Sequence, residues 1–183
     1  MPADDALPPH AKHTVLVVDD TPDNIDQLCA LLEQDYVVKV ATQGERALQI
    51  VLSDNPPDLI LLDVLMPGIS GFEVCRQIKS RPQRCHIPIL FVSSLEQWSD
   101  EAFGLSLGAA DYIVKPFRPP IVLARVRTHL ALYDQSRELE RMVAQRTAEL
   151  AADLAAQQAC DGVGAAQRLE AAEAEARALV LVV

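Results

Sequence analysis

The chain has 183 residues, half of them hydrophobic, with 26 acidic and 16 basic residues and a formal net charge of −10. This length suits one domain with a substantial core plus an appendage. The acidic balance argues against direct binding to nucleic acid, which needs a basic face.

No apolar stretch is long enough to cross a bilayer, and the N-terminus lacks the order of a signal peptide, so we expect a cytoplasmic protein without a membrane segment. The four cysteines form no CxxC pair, which argues against a zinc site or a disulfide framework.

Residues 1–12 are polar and rich in proline, so we expect a flexible N-terminal tail. From residue 13 onward, short apolar runs alternate with segments of helical periodicity. The predicted strands are His13–Val18, Tyr36–Ala41, Asp58–Asp63, Ile87–Ser93 and Ala110–Val114. Helices are predicted from Thr21-Pro22 onward, after Thr42, over Gly71–Ser80, over Glu96–Leu107, and after Pro119-Pro120.

Local signals mark several of the predicted helix ends. Thr21 is the expected N-cap of the first helix, with Pro22 at the first helical position. Thr42 and Glu45 have the spacing of a capping box before the second helix, and Gly108 is the expected stop of the fourth. Strands that alternate with helices imply right-handed crossovers. We therefore predict an α/β fold with a doubly wound, five-stranded parallel sheet in the order 2-1-3-4-5.

Five polar side chains fall at or directly after the carboxyl ends of four predicted strands. They are Asp19, Asp20, Asp63, Ser93 and Lys115. Each has an ordinary explanation by itself, such as a helix cap, a turn or a surface charge. In a parallel sheet, however, they meet at one edge, where three carboxylates would repel one another unless a cation such as Mg²⁺ joined them. A carboxylate beside Mg²⁺ is also a competent nucleophile toward phosphorus.

Four motifs carry a family resemblance. They are LVVDD (16–20), LLDVLMPGISGFEV (61–74), FVSS (91–94) and DYIVKPF (111–117). In this order they resemble the receiver domain of bacterial two-component response regulators, over residues 13–132. The resemblance implies that Asp63 accepts a phosphoryl group from a sensor histidine kinase or a phosphotransfer protein. It also implies Mg²⁺ held by Asp19, Asp20, Asp63 and the backbone carbonyl of Leu65.

The same resemblance assigns roles to the last two strands. Ser93 and Lys115 are implied to contact the phosphoryl group, and the peptide bond before Pro116 is expected to be cis. Tyr112 matches the family's switch aromatic, whose ring turns inward as Ser93 moves toward the phosphoryl group. The surface formed by helix 4, strand 5 and helix 5 is implied to switch dimerisation or partner binding.

Residues 133–183 are predicted to form a helical extension. Apolar residues fall at a/d-type spacing, but polar residues occupy the other seam positions. The apolar set is Leu132, Leu139, Val143 and Leu150, and the polar set is Ser136, Arg146 and Asp153. A coiled coil in a homodimer, a solvated single helix and a disordered tail all remain open. Gly162 and Gly164 are expected to break the helix, and the apolar residues 178–183 would need a partner or a second copy to cover them.

The output is open at this point. The junction after Lys115 is similar to that of regulators with a cyclic-di-GMP phosphodiesterase domain of the HD-GYP type, and to linkers that precede diguanylate cyclases. No catalytic output motif is visible in these residues, so we expect a non-enzymatic phospho-switch that acts as a homodimer or through a partner protein. The alternative is the receiver portion of a cyclic-dinucleotide enzyme. An aspartate-nucleophile phosphatase is a weaker alternative, because such enzymes usually place a second Asp where Leu65 stands.

Overall fold

The computed structural model describes residues 12–94 and 98–180, with the backbone alone described for 98–101, 153, 155, 156 and 158–180. Three predictions therefore fall at least partly outside the described residues. They concern the N-terminal tail, the start of the fourth helix at Glu96 and the last apolar residues of the chain.

Strands and helices alternate along the chain as predicted. The strands are β1 (Thr14–Val18), β2 (Val37–Ala41), β3 (Leu59–Leu62), β4 (Ile89–Ser93) and β5 (Asp111–Val114). The helices are α1 (Pro22–Leu32), α2 (Gly44–Leu52), α3 (Gly71–Lys79), α4 (Trp98–Ser106) and α5 (Pro119–Val180). All strand pairs are parallel, and the sheet order is β2-β1-β3-β4-β5. The predicted fold class and strand order are confirmed.

The sheet lies between two hydrophobic clusters, one on each face. Every residue of β3 and β4 is buried, which explains why these strands are continuous apolar runs without alternation. One cluster includes Leu62, Val74 and Phe91, and the other includes Leu61 and Val126. Since successive residues of a strand point to opposite faces, Leu61 and Leu62 belong to different clusters. The core therefore fixes the register that brings the strand ends together.

One predicted helix start is confirmed and another is wrong. Thr21 precedes α1 as the N-cap, with Pro22 in the first turn, but its side chain makes no capping hydrogen bond. The capping box predicted for Thr42 and Glu45 is wrong, because α2 begins at Gly44 and its N-cap is Gln43, without a side-chain cap bond. Because α2 starts one residue later than predicted, Thr42 lies outside the N-cap position. The two reciprocal hydrogen bonds of a capping box therefore cannot form between Thr42 and Glu45.

The chain divides into two compact units, one ending at Gln135 and the other beginning at Ser136. The backbone of α5 is helical through Gly162 and Gly164, so the predicted break there is wrong. A glycine inside a helix costs only about 1 kcal/mol relative to alanine, and the surrounding alanines are strong helix formers.

The second unit carries an exposed apolar row along α5. Leu139, Val143, Leu150 and Leu154 are each 60–68% exposed. Solvated ion pairs, Arg141 with Glu138 and Arg146 with Glu149, lie along the same helix. Within the described residues, none of the helices is both long and apolar enough to cross a membrane.

Candidate functional site

The carboxyl edge of the sheet gathers the predicted site residues. Asp19 and Asp20 follow β1 directly, Asp63 follows β3, Ser93 is the last residue of β4, and Lys115 follows β5. The strand order places β1, β3, β4 and β5 side by side. Ligand sites of open α/β sheets lie at this edge, beside the point where the strand order reverses.

Three carboxylates converge at this edge. One oxygen from each of Asp19, Asp20 and Asp63 lies within 4.8 Å of the others. Asp19 and Asp63 are buried, at 1% and 5% exposure, whereas Asp20 is exposed to solvent. Oxygen-only ligands with one side open to water suit Mg²⁺, which keeps several of its waters when bound. The donor set therefore fits a divalent cation.

Lys115 connects two of these carboxylates. Its Nζ atom donates to Asp19 Oδ2 at 2.7 Å and to Asp63 Oδ2 at 3.0 Å. Burial lowers the pKa of Lys115, but its hydrogen bonds to the two carboxylates outweigh burial and leave that pKa raised. The ammonium group is therefore charged at neutral pH and partly balances the acidic cluster.

The pKa of Asp63 stays raised in spite of this partner. Burial raises the pKa of its carboxyl group above the ordinary value of 3.8, and the hydrogen bond from Lys115 opposes that rise without cancelling it. Nearby Asp19 adds to the rise by charge repulsion. A buried carboxylate that gains from positive charge is suited to hold a cation or to accept an electrophile.

Backbone amides of the segment after Asp63 donate hydrogen bonds that hold it in place. The Leu65 amide donates to Asp63 Oδ1 at 3.4 Å, and the Gly71 amide donates to the Val64 carbonyl at 2.9 Å. Ser70 caps α3 by accepting from the Glu73 amide at 3.3 Å, a cap that the sequence analysis missed. Leu65 lies on this segment and is 54% exposed. Its carbonyl as a metal ligand stays a prediction.

The ends of β4 and β5 are joined beside the cluster. The Lys115 amide donates to the Ser93 carbonyl at 2.8 Å, and Ser93 is fully buried. The Lys115–Pro116 peptide bond is cis. The structure thus brings Ser93 and Lys115 to the same edge as the three acids.

Asn24 is a further polar residue at this edge, and the sequence analysis did not identify it. Its Nδ2 atom donates to both oxygens of Asp19, at 3.0 Å to Oδ1 and 3.2 Å to Oδ2. Asn24 lies in the first turn of α1, which begins three residues after Asp19. This position, so close to a predicted site acid, is the signal that could have identified it.

Comparison with known proteins matches residues 15–127 to the family model described as the response regulator receiver domain. The chain belongs to this family. The receiver domain itself is not a catalytic output module.

Two curated relatives carry this receiver domain within longer proteins. A Vibrio cholerae protein named "Probable cyclic di-GMP phosphodiesterase" is 44% identical over 144 residues, which cover 75% of this chain and 32% of that protein. Response regulator PleD of Caulobacter vibrioides is 43% identical over 115 residues, which cover 62% of this chain and 25% of that protein. The chain thus spans about a third or less of the length of these relatives.

Solved receiver domains agree with the fold. The BeF3-activated N-terminal receiver domain of Klebsiella pneumoniae RstA is 35% identical, with a TM-score of 0.58, and the match covers 64% of this chain and 97% of that one. A CheY-like receiver domain protein from Methanospirillum hungatei has a TM-score of 0.64 at 24% identity, covering 69% of this chain and 99% of that one. At that identity the second match supports the fold alone.

A row of packed aromatic rings starts at Tyr112 on β5. Tyr112 is 4% exposed, so its ring already lies inside, and it packs against Phe91 with ring centroids 6.2 Å apart. Phe91 packs edge-on against Phe72 at 5.1 Å, and Phe72 packs edge-on against Phe103 at 5.1 Å. Phe103 lies on α4 and is 51% exposed. The row therefore leads from β5 to the surface of α4.

Proposed function

We propose that Asp63 of this receiver domain accepts a phosphoryl group from the phosphohistidine of a sensor histidine kinase or a phosphotransfer protein. The single observation that carries the proposal is the position of the Asp63 carboxylate, which lies 3.0 Å from Lys115 Nζ and within the cluster formed with Asp19 and Asp20. A nucleophilic oxygen thus has an ammonium group and further carboxylates beside it, as phosphoryl transfer requires.

The transfer involves one bond made and one bond broken. A carboxylate oxygen of Asp63 attacks phosphorus, the O–P bond forms, the N–P bond of the phosphohistidine breaks, and the imidazole leaves and takes up a proton. Lys115 and the Ser93 hydroxyl would each contact a phosphoryl oxygen. The ammonium group offsets charge on the transferring group because it is positioned before the reaction begins.

Mg²⁺ would be held by Asp19, Asp20, Asp63 and the Leu65 carbonyl. When bound, the ion supplies charge neutralisation for the phosphoryl oxygens. The acidic cluster and its oxygen-only donors support this assignment.

Acetyl phosphate with Mg²⁺ tests the proposal without the native kinase. We expect one phosphoryl adduct per chain, stable in acid and labile in base, detected by intact mass and mapped to Asp63. Asp63→Asn should abolish the adduct, whereas Asp58→Asn, at the other end of β3, should retain it. An adduct that persists in Asp63→Asn, or one that never forms in the folded protein with Mg²⁺, would contradict the proposal.

A phosphatase assay separates this function from the aspartate-nucleophile alternative. A receiver domain should release phosphate slowly from its own adduct and should not turn over varied phosphate esters. Rapid turnover of several esters would instead favour a phosphatase.

For the output, we propose a homodimer that changes with phosphorylation through the surface of α4, β5 and α5. The exposed apolar row of α5 supports self-association, because a solvated helix gains nothing from four large apolar residues on its surface. Light scattering in solution, with and without beryllofluoride and Mg²⁺, tests this. Leu150→Glu should weaken the dimer, and a monomer under all conditions would contradict it.

A cyclic-di-GMP output is the second candidate. The match to the Vibrio cholerae protein covers 75% of this chain, which is a longer stretch than residues 15–127 and therefore extends beyond the receiver domain. A reading frame that continues past Val183 into a phosphodiesterase or cyclase domain would support it, and hydrolysis or synthesis of cyclic di-GMP by that longer product would test it. Cell fractionation would test the cytoplasmic location that we propose for either form.

A further inference from the structure

Asp19 is the most completely bonded acid at the site. Its Oδ1 atom accepts from the Thr21 amide at 2.9 Å and from Asn24 Nδ2 at 3.0 Å. Its Oδ2 atom accepts from Lys115 Nζ at 2.7 Å and from Asn24 Nδ2 at 3.2 Å. These contacts reach both oxygens of a side chain that is 1% exposed, so donors on two sides fix the orientation of the Asp19 carboxylate.

The other two acids are held differently. Asp63 accepts from Lys115 at 3.0 Å and from the Leu65 amide at 3.4 Å, and Asp20 is exposed, with a long 3.5 Å contact from the Thr21 hydroxyl. The orientation of these two carboxylates is therefore less constrained than that of Asp19. Asp19 differs because donors from α1 and from the end of β5 hold it on both oxygens.

Asn24 is suited to this task by its charge. Its amide donates to both oxygens of Asp19 without adding a charge to an edge that already has three carboxylates and one ammonium group. An Asp at this position would add a fourth carboxylate, and a Lys would compete with Lys115. A neutral donor fixes the orientation of Asp19 while leaving the charge balance of the site unchanged.

We propose that Asn24 is a positioning residue for the metal and phosphoryl site. It holds the Asp19 carboxylate in the orientation in which one of its oxygens lies within 4.8 Å of oxygens of Asp20 and Asp63. Groups that orient metal ligands typically change metal affinity by 10- to 100-fold when they are removed. This inference rests on the proposed function at Asp63 and adds to it a residue that binds neither the phosphoryl group nor the metal.

The competing explanation is that Asn24 is an ordinary polar residue of α1. In that case its replacement would affect stability alone, as a change at any half-buried helix position does. Gln27 provides a matched control, because it is an amide on the same helix, three residues further on and exposed. Asn24→Leu and Gln27→Leu therefore remove the same chemical group from the same element, with and without the contact to Asp19.

The experiment measures Mg²⁺ affinity by titration calorimetry and by the Mg²⁺-dependent rise of the unfolding midpoint. We expect Asn24→Leu to weaken Mg²⁺ binding about tenfold, while Gln27→Leu leaves the Mg²⁺ affinity unchanged. At saturating Mg²⁺, the final yield of acetyl phosphate adduct in Asn24→Leu should return to the wild-type level, because Asp63 and Lys115 remain. Asn24→Ala, which removes the same donor, should weaken Mg²⁺ binding to a similar extent.

The outcomes are separable. Wild-type Mg²⁺ affinity in Asn24→Leu, or an equal loss in Gln27→Leu, would overturn the positioning role whatever happens at Asp63. Failure of the wild-type protein to form an adduct, with Mg²⁺ binding still dependent on Asn24, would overturn the acceptor function and leave Asn24 as a metal-positioning residue. If Asn24→Leu does not fold, Asn24→Ala decides by the same titration, and an unchanged affinity there would reject the proposal.

Discussion

Lys115 and Asp19 lie 96 residues apart in sequence, and Lys115 Nζ donates to Asp19 Oδ2 at 2.7 Å. The same ammonium group reaches Asp63 at 3.0 Å, so one cation links the ends of β1, β3 and β5. The lysine side chain is 15% exposed, and the two acids are at 2% and 7%. Solvent therefore screens this triad only weakly, and its loss should be measurable.

Lys115→Met should destabilise the metal-free fold by about 3 kcal/mol, because removing one partner leaves buried carboxylates without a compensating charge. Mg²⁺ should restore part of this loss and should bind more tightly than in the wild type, since it no longer competes with the ammonium group. Urea unfolding in EDTA and in Mg²⁺ measures both effects. Lys39→Met, on β2 away from the acids, is the control, and equal losses in the two variants would argue against a special role for Lys115.

Asp63→Asn should change how stability depends on pH. Burial raises the pKa of Asp63 above 3.8 in the folded chain. The protonated carboxyl group therefore contributes stability that is fully present below pH 3.8 and is lost as the pH rises through the folded-state pKa. Without metal, the Asn variant should therefore be more stable than the wild type at pH 7, and the difference should shrink toward pH 3. Thermal unfolding in EDTA across this range checks the sign, and a less stable Asn variant at pH 7 would contradict it.

Gly71→Ala should damage the site through the backbone. A Cβ atom at Gly71 would lie 2.0 Å from the Asp63 carbonyl oxygen and 2.9 Å from Val64 Cα, so the segment that carries Asp63 must move. We expect a loss of about 2–3 kcal/mol in stability, together with weaker Mg²⁺ binding. Urea unfolding and Mg²⁺ titration measure the two effects.

Gly108→Ala is the control for that substitution. Gly108 has a φ of +90°, so alanine there is strained, but the new Cβ would meet the Lys79 side chain at 3.6 Å and no group of the site. It should cost about 1–2 kcal/mol and leave Mg²⁺ affinity unchanged. Equal Mg²⁺ affinities in the two variants would show that the approach of Gly71 to Asp63 does not shape the site.

The described cysteines should differ in reactivity. Burial raises the pKa of the Cys75 thiol to about 11, whereas Cys85 is exposed. At pH 8, iodoacetamide should therefore alkylate Cys85 first and Cys75 only after unfolding, because the thiolate is the reactive form. Peptide mapping by mass spectrometry with and without urea checks the order, and rapid labelling of Cys75 in the folded protein would contradict its burial.

The meeting of residues that are distant in sequence could be predicted, because it follows from where the parallel strands end. The apolar runs before Asp19 and Asp63 predicted buried parallel strands, and parallel strands bring their carboxyl ends to one edge. The expectation that Asp19, Asp63 and Lys115 come together needed no side-chain detail, and the structure places them in hydrogen-bonding contact.

Contacts that depend on the position of one helix turn could not be predicted in the same way. The capping box of Thr42 and Glu45 failed because α2 starts one residue later than the pattern suggests. The bond from Asn24 to Asp19 joins a helix to a strand end, and its existence depends on how α1 packs against the sheet. The helical backbone through Gly162 and Gly164 likewise depends on flanking residues that outweigh two weak helix formers.

The aromatic row connects Tyr112 on β5, close to the site, with the exposed surface of α4. Interior side chains pack as densely as organic crystals, so a ring cannot turn unless its neighbours give way. Tyr112, Phe91 and Phe72 are consequently coupled as one packing unit, whose outer end is the half-exposed ring of Phe103. A partner that covered Phe103 would therefore contact one end of a packed row of rings whose other end, Tyr112, lies on β5 three residues before Lys115.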